Sequence, residues 1–265
     1  MPVLLSVPHA GRNYPAEIFA NLRIARSEIV RLEDRYADLL ARAAVTLGYP
    51  VVVAHTARAW IDLNRDENDV DVGMVAGLQV AGRPSPSPKQ RGGLGLIPRR
   101  LSGVGEIWKR PISAADLTHR IESYHRPYHQ HISVILEKMR AQFGVAILLD
   151  LHSMPTVPDA QFVVGDRFGR SSANQYTEIL TARLCSHGFD VALNHPYSGD
   201  YILRRHGAAD ADIHAIQLEI DRNLYLDPQL REPGDGVKRI ATLVAELVQT
   251  LAADATRQHI LQAAE

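Results

Sequence analysis

Two histidines and one glutamate have side chains that can bind a metal ion or transfer a proton, and they come from three separate segments of the chain. His9 follows a short apolar segment, His152 follows a longer one, and Glu219 lies in a late segment of alternating character. Two imidazoles and one carboxylate form the usual protein shell of a catalytic zinc ion, which keeps one position open for water. A further carboxylate must then accept a proton from that water. The alternative is that each histidine is a structural residue at a strand end and that the glutamate lies on a solvent-exposed strand face. The residues alone leave both interpretations open.

Other chemical signals are missing or favour a structural role. The sequence contains no HExxH zinc helix, no P-loop, no GxSxG elbow and no GxGxxG turn after a strand. His125 and His129 are four residues apart, but Pro127 lies between them, so a surface or packing role is favoured over a metal pair. Cys185, the single cysteine, lies in a helix-like segment and is interpreted as a small packed residue.

The segment 145–155 carries the second of these histidines. Its first residues form an unbroken apolar run, which is typical of a strand covered on both faces, and Asp150, His152 and Ser153 follow at its end. Open α/β sheets place their ligands at the carboxyl ends of strands. Alternation puts Asp150 and His152 on the same side, so we expect Asp150 to orient the imidazole or to face the site itself.

Predicted strands and helices alternate along the chain. Apolar or alternating character predicts strands at 2–8, 50–56, 161–165, 190–194 and 214–221, and a short or edge strand that runs from Arg58 into a polar cluster ending at Asn68. Caps and apolar stripes predict helices at 28–47, 113–143, 172–187 and 236–252, the second kinked or split by Pro127. No repeat or linker is found. We therefore predict one α/β domain over 1–253, followed by a tail, 254–265, that is helical or frayed.

The segment 83–111 is a long connection with little periodicity. It is rich in Pro, Gly, Ser and basic residues, but it also contains apolar residues, among them Leu96 and Trp108. A connection of this length in a compact domain is usually functional or disordered. Its apolar content favours an ordered loop over the site.

Composition limits the class of partner. The 265 residues carry a formal net charge of −1, with 46% hydrophobic and 22% charged residues, so neither a nucleic acid nor a membrane is expected as partner. The amino terminus lacks the features of a signal peptide, and a single cysteine fits a reducing compartment, so we expect a cytoplasmic protein with a small-molecule substrate. The oligomeric state is left open.

A family resemblance covers most of the chain. It rests on short motifs in family order between about residues 4 and 228, which are Ser6–Gly11, Glu33–Asp38, Asp62–Glu67, Gly93–Pro98, Pro127–His129, Asp150–Ser153, Gly165–Asp166, Tyr197–Tyr201 and Glu219–Tyr225. Together they resemble the N-formylglutamate amidohydrolase family. That family is similar to the zinc carboxypeptidases (phosphorylase/hydrolase-like architecture), which implies a mixed, mostly parallel sheet flanked by helices and one zinc ion at the strand ends.

The resemblance implies a role for each metal-site residue. His9 and His152 would be zinc ligands, and Asp34 would be the third because it begins the family's Asp-x-x-x-Asp pattern, which Asp38 completes. The adjacent Glu33 remains the alternative third ligand. Glu219 resembles the general base of the zinc carboxypeptidases.

The resemblance also implies substrate contacts. Asn64 and Arg65 would hold a substrate carboxylate, a task that suits the planar guanidinium and lets Arg65 contribute to catalysis by fixing the amide. The alternative for Arg65 is an ion pair with a neighbouring acid, namely Asp62, Asp66 or Glu67. The remaining candidate substrate contacts are Ser153, Tyr201, Arg204 and Arg205. The two arginines are candidates to contact an acidic side chain of the substrate or a developing oxyanion.

These expectations define a reaction. The resemblance implies hydrolysis of an N-acyl acidic amino acid, most simply N-formyl-L-glutamate to formate and L-glutamate, a step of histidine catabolism. Asp200 stands where the family pattern has a small residue, which puts selectivity for glutamate in question. The alternatives are the same chemistry on another N-acyl amino acid, a peptide or a cell-wall amide, and a non-catalytic binding protein on this scaffold.

Overall fold

The computed structural model describes residues 1–77 and 87–262, with side chains described as far as residue 257. The strands are β1 (Val3–Val7), β2 (Val51–Val53), β3 (Arg100–Leu101), β4 (Gly105–Glu106), β5 (Ala146–Met154), β6 (Phe162–Gly165), β7 (Val191–Leu193) and β8 (Ile213–Asp221). The helices are α1 (Ala16–Asn21), α2 (Arg26–Ile29), α3 (Ala37–Leu40), α4 (Arg42–Thr46), α5 (Pro88–Arg91), α6 (Ala114–Arg120), α7 (Arg126–Phe143), α8 (Asn174–Ser186), α9 (Tyr201–His206) and α10 (Val237–Gln262).

The main sheet has six strands in the order β2-β1-β5-β8-β6-β7. Every neighbouring pair is parallel except β6 and β8, which are antiparallel. The central strands β1, β5 and β8 are almost entirely buried because neighbouring strands and packed helices cover them. The predicted mixed, mostly parallel α/β sheet is confirmed.

The chain folds into two compact units. The first comprises Met1–Val7, Arg35–Val53 and His131–Glu265, and it contains the whole six-stranded sheet together with α3, α4, α8, α9 and α10. The second comprises Pro8–Asp34 and Ala54–Gln130, and it contains short helices and the β3–β4 hairpin. Neither unit is one continuous segment, which explains why no linker shows in the sequence.

One face of the sheet is polar, and it is buried. Cross-strand register pairs Ser6 with Asp150, Asp150 with Gln217, and His152 with Glu219, so these side chains share one face. All are buried. The predicted alternation of β8 is confirmed, but its polar residues do not face solvent, because α9 packs against β8 and β5. Buried polar side chains need hydrogen-bond partners inside the protein. A polar face that is buried in this way is typical of a functional site.

The helix predicted at 28–47 is wrong as one element. The chain forms α2 and a 3-10 turn as far as Leu32, then becomes extended at Glu33 (φ −77°, ψ 148°) and left-handed at Tyr36 (φ 58°) before α3 begins. Asp34 lies in this break, and its backbone N–H donates to the carbonyl of His9 at 2.9 Å. A buried tertiary contact therefore overrides the apolar stripe, and Asp34 is not on a solvated helix face.

The predicted disturbance at Pro127 takes the form of a π-helical turn. The turn, Ile121–His125, lies between α6 and α7 and ends two residues before the proline. Pro127 has no N–H to donate to the carbonyl four residues earlier, and a π turn is one way for a helical path to continue past such a gap.

Other expectations are confirmed or corrected at particular segments. The short strand predicted from Arg58 is wrong, since the chain there forms turns. Residues 87–111 are ordered, with Leu96 and Trp108 buried, whereas 83–86 of the predicted loop lie outside the described residues.

Cys185 is exposed on α8, so its expected packing is wrong. The final helix continues past residue 254, to Gln262. Among the described helices, none has the length and apolar character of a membrane span.

A buried histidine on α9 makes the stability of the fold pH-dependent. Burial, and then the charge of Arg205, lower the pKa of His206 to about 4, while Asp150 opposes the shift. The unfolded chain therefore binds a proton between about pH 6.5 and 4 that the folded chain refuses, so the free energy of unfolding falls as pH falls through this window, by about 3 kcal/mol in all.

The variant His206→Gln should lose that part of the pH dependence. Urea denaturation of both proteins at pH 7 and at pH 4.5 measures it. The same loss of stability in both proteins would contradict the assignment.

Candidate active site

His9 is fixed from both sides by carboxylates. It lies two residues beyond β1 and is 2% exposed. Its Nε2 lies 2.7 Å from Oδ1 of Asp62, and its Nδ1 lies 3.4 Å from Oδ2 of Asp34. When Nε2 donates its hydrogen to Asp62, the lone pair of the neutral ring is on Nδ1, on the side of Asp34.

Asp62 is the anchor of this arrangement. It is fully buried, accepts from Nε of Arg58 at 2.8 Å, and accepts from the backbone N–H of Asn64 at 2.9 Å. Burial by itself would raise the pKa of the Asp62 carboxyl, but the charges of Arg58, His9 and Arg65 outweigh it and hold the pKa well below its usual range. The ionised carboxylate therefore orients the imidazole of His9.

His152 is oriented in the same manner on the sheet. Its Nε2 lies 2.8 Å from Oδ2 of Asp150, and the other oxygen of Asp150 accepts a hydrogen bond from the hydroxyl of Ser6. The expected contact between Asp150 and the imidazole of His152 is present. Both histidines thus use Nε2 to contact an aspartate, an arrangement that fixes tautomer and ring orientation in metal-ligating histidines.

Glu219 stands beside His152 in the sheet. The two residues are register partners on β5 and β8, and Glu219 is 8% exposed. The side-chain amide of Gln217 donates to Oε1 of Glu219 at 2.9 Å. A carboxylate held in this way next to a histidine is placed to exchange a proton with a small molecule bound at the same face.

Three of the predicted residues meet in one cluster. His9, Asp34 and His152 each offer one ligand atom, these atoms all lie within 4.8 Å of one another, and all three residues are buried. Glu33, the alternative to Asp34, instead accepts a hydrogen bond from the hydroxyl of Tyr14. Two imidazoles and one carboxylate at this spacing form a donor set that fits a single divalent cation such as zinc.

Arg65 is held rigidly by backbone carbonyls. Its Nε donates to the carbonyl of Leu94 at 2.8 Å and its Nη1 to that of Asn64 at 2.6 Å. In the alternative ion pair with Asp62, Nε of Arg65 lies 4.0 Å from Oδ2, which is the limit of contact. The guanidinium is therefore immobilised in the buried turn that also contains Asn64.

His125 and His129 support that turn from behind. Nε2 of His125 lies 2.8 Å from the carbonyl of Arg65, and Nε2 of His129 lies 3.0 Å from the carbonyl of Leu63. Both rings are fully buried. The predicted packing role of the pair is confirmed.

The remaining predicted contacts are spread around the sheet. Ser153 alternates to the face opposite His152, and its hydroxyl accepts from Nε of Arg222 at 3.1 Å. Tyr201 begins α9, and its hydroxyl accepts from Nη1 of Arg205 at 2.7 Å. Arg204 and Arg205 are exposed.

The sequence indicates one orienting aspartate more clearly than the other. The place of Asp150 beside His152 follows from strand alternation alone. Asp62 opens the Asp62–Glu67 motif, and its only local signal is that the motif begins with an acid after the apolar Trp60 and Ile61. Its role as the anchor of His9 was therefore missed.

The fold and the site first define a class, an α/β protein with a candidate metal centre of two histidines and one aspartate. The family follows from comparison with known sequences. The model of the N-formylglutamate amidohydrolase family matches residues 1–226, and the chain belongs to that family.

Individual relatives are similar to this chain over most of its length. An N-formylglutamate deformylase of Pseudomonas aeruginosa is 27% identical over 281 residues, covering 96% of this chain and 93% of that protein. An N-formylglutamate deformylase of Pseudomonas putida is 30% identical over 240 residues, covering 86% and 82%. The crystal structure of N-formylglutamate amidohydrolase from Ralstonia eutropha JMP134 superposes with a TM-score of 0.90 at 29% identity, covering 97% of this chain and 95% of that one. A protein from Agrobacterium tumefaciens shares the fold, with a TM-score of 0.68 at 17% identity.

The variant Asp62→Asn should weaken the binding of a divalent cation by about 10- to 100-fold, because a neutral amide no longer fixes the tautomer of His9. Competition between the protein and a chelating dye for Zn²⁺ measures the affinity. Asp66→Asn is the matched control, since it removes an acid from the same turn that accepts from Asn68 instead. Equal affinities in the two variants would show that Asp62 does not act on the site.

Proposed function

We propose that this protein is a zinc-dependent amidohydrolase that converts N-formyl-L-glutamate to formate and L-glutamate. The observation that carries the proposal is the buried cluster of His9, Asp34 and His152, with Glu219 as the sheet neighbour of His152. The family and the deformylase relatives support this substrate. A reducing cytoplasmic setting agrees with the single cysteine.

We assign the metal ligands to His9, Asp34 and His152. One zinc ion bound there would supply Lewis acidity, which polarises an amide carbonyl and makes a water molecule more acidic. Two neutral imidazoles and one carboxylate would leave the zinc centre a net positive charge, which preserves its Lewis acidity. Asp62 and Asp150 hold the two rings in the orientation that such binding needs.

We assign proton transfer to Glu219. Its carboxylate would accept a proton from the attacking water and later deliver it to the amide nitrogen, so that the C–N bond breaks and the amine of glutamate leaves. The hydrogen bond from Gln217 to Oε1 fixes the rotation of this carboxylate. Its place on a central strand, rather than on a loop, restricts its position further.

We assign the α-carboxylate of the substrate to Arg65 and Asn64. The two carbonyls that hold the guanidinium reduce the entropy lost when a substrate binds. An arginine fixed in this way would hold the amide in one position relative to Glu219, which is how a residue remote from the reacting atoms contributes to rate.

The variant His152→Ala should lose both bound zinc and activity. Because Glu219 is not a ligand in this assignment, Glu219→Gln should keep the zinc and lower kcat by about two to four orders of magnitude. Metal analysis of purified protein and formate release, each with and without a chelator, measure both effects. His55→Ala is the matched control, since His55 also follows a strand but is exposed.

The nearest alternative is the same chemistry on another N-acyl amino acid or a peptide. A panel of N-formyl and N-acetyl amino acids and short peptides separates the two, and we expect the highest kcat/KM with N-formyl-L-glutamate. A preference for a peptide would overturn the substrate assignment while leaving the metal chemistry in place. Full activity in chelator would overturn the metal chemistry.

A further inference from the structure

Asp34 lies in an irregular segment, residues 33–36, between the 3-10 turn that ends at Leu32 and the start of α3. The last residue of this segment, Tyr36, has left-handed backbone, with φ 58° and ψ 16°. Such backbone is uncommon for a residue with a large side chain, and it persists where surrounding contacts enforce it. The position of Asp34 therefore depends on the contacts that other segments make with residues 33–36.

A buried tyrosine holds the residue that follows Asp34. Tyr225 is 0% exposed, and its hydroxyl donates to the carbonyl of Arg35 at 2.9 Å. On the other side, the backbone N–H of Asp34 donates to the carbonyl of His9 at 2.9 Å. The main chain is thus anchored both before and after the Cα atom of Asp34. A residue held in this way has fewer backbone conformations from which to present its carboxylate.

The loop after the buried tyrosine also contacts this segment. Nε of Arg35 donates to the carbonyl of Arg231 at 2.7 Å, and the hydroxyl of Tyr36 donates to Oε2 of Glu232 at 2.6 Å. Nη2 of Arg35 lies 3.6 Å from Oε1 of Glu232. These contacts are exposed, so each is expected to contribute less than the buried hydrogen bond from the tyrosine.

The loop is closed by hydrogen bonds of its own. Oδ1 of Asp227 accepts from the backbone N–H groups of Arg231 and Glu232 at 2.7 and 3.1 Å, and these bonds lower the pKa of the Asp227 carboxyl. The N–H of Gly234 donates to the carbonyl of Tyr225 at 2.8 Å. The loop therefore returns to its first residue, which keeps the anchoring groups together.

Tyr225 is also tied to the central sheet. It follows β8 after a single 3-10 turn, Arg222–Leu224. The side chain of Asp221 caps this turn by accepting from the backbone N–H of Asn223 at 2.9 Å. The strand that carries Glu219 thus leads, through one capped turn, to the hydroxyl that holds the main chain beside Asp34.

We propose that Tyr225 is a positioning residue for Asp34, whose hydrogen bond to the carbonyl of Arg35 holds the Asp34 carboxylate where a divalent cation binds. The inference rests on the proposed function, in which Asp34 is a metal ligand, and deepens it. Tyr225 acts on this ligand through the main chain, so its contribution is to the affinity for the metal.

The variant Tyr225→Phe removes one hydroxyl and keeps the buried ring. The affinity for Zn²⁺, measured by competition with a chelating dye, should fall by about tenfold, because Arg35 loses this hydrogen bond and residues 33–36 reach other conformations. Tyr176→Phe is the matched control. Tyr176 is a buried tyrosine of the same unit, but its ring lies beside His214, near the opposite end of β8. Its loss of a hydroxyl should change the affinity by less than about twofold.

A second measurement separates positioning from a general loss of structure. If Tyr225 acts through Asp34, Tyr225→Phe should have no additional effect on Zn²⁺ affinity in a protein that already carries Asp34→Ala. A dye of lower affinity for Zn²⁺ measures this pair, and urea denaturation shows that each variant is folded under the conditions used.

The outcomes distinguish this inference from the proposed function. An unchanged affinity in Tyr225→Phe, an equal loss in Tyr176→Phe, or a further loss in the double variant would overturn the inference alone. A wild-type protein that binds no Zn²⁺, or an Asp34→Ala variant that binds it as tightly as the wild type, would overturn the metal assignment in the proposed function, and the inference with it.

Discussion

The site depends on buried carboxylates that must be paired. Asp62 and Asp150 are both fully buried, and an isolated buried carboxylate would cost several kcal/mol or be neutralised. Each is stabilised by hydrogen bonds, from Arg58 and a backbone N–H in one case and from Ser6 in the other. Each uses its remaining capacity on a histidine. The negative charge that makes the burial of each carboxylate unfavourable is therefore the same charge that orients its histidine.

Strand register brings the polar side chains of different strands together on one face of the sheet. Because side chains alternate along a strand, Asp150 and His152 share a face, and parallel pairing with β8 brings Gln217 and Glu219 to that face. A slip of one residue in either strand would turn one of these sets into the apolar layer. The mostly apolar residues on the opposite face, among them Leu149 and Ile216, resist such a slip because it would move them out of their apolar packing and onto the polar face.

Much of the sheet was predictable because its signal is local. The apolar run before Asp150 and the alternation of β8 correspond to observed strands, and the motifs located His9, His152 and Glu219. The break at Asp34 was not predictable from periodicity, since the segment carries a good helical stripe and a distant contact with His9 decides its path. Asp62 was missed as an anchor for the same reason. Its role depends on residues that only the folded chain places beside it.

The contact of each orienting aspartate with Nε2 affects how firmly a metal would be placed. Nδ1 of each ring would then be the nitrogen left to bind a metal, and it lies nearer the Cα atom than Nε2 does, so rotation about the side-chain bonds displaces it less. The backbone of β5 and of the segment after β1 would accordingly restrict the two nitrogen atoms more than it would if Nε2 were the ligand. The short distance between Cα and Nδ1 also restricts which residue could replace either histidine. An asparagine amide reaches the position of Nδ1, whereas a glutamine amide extends beyond it.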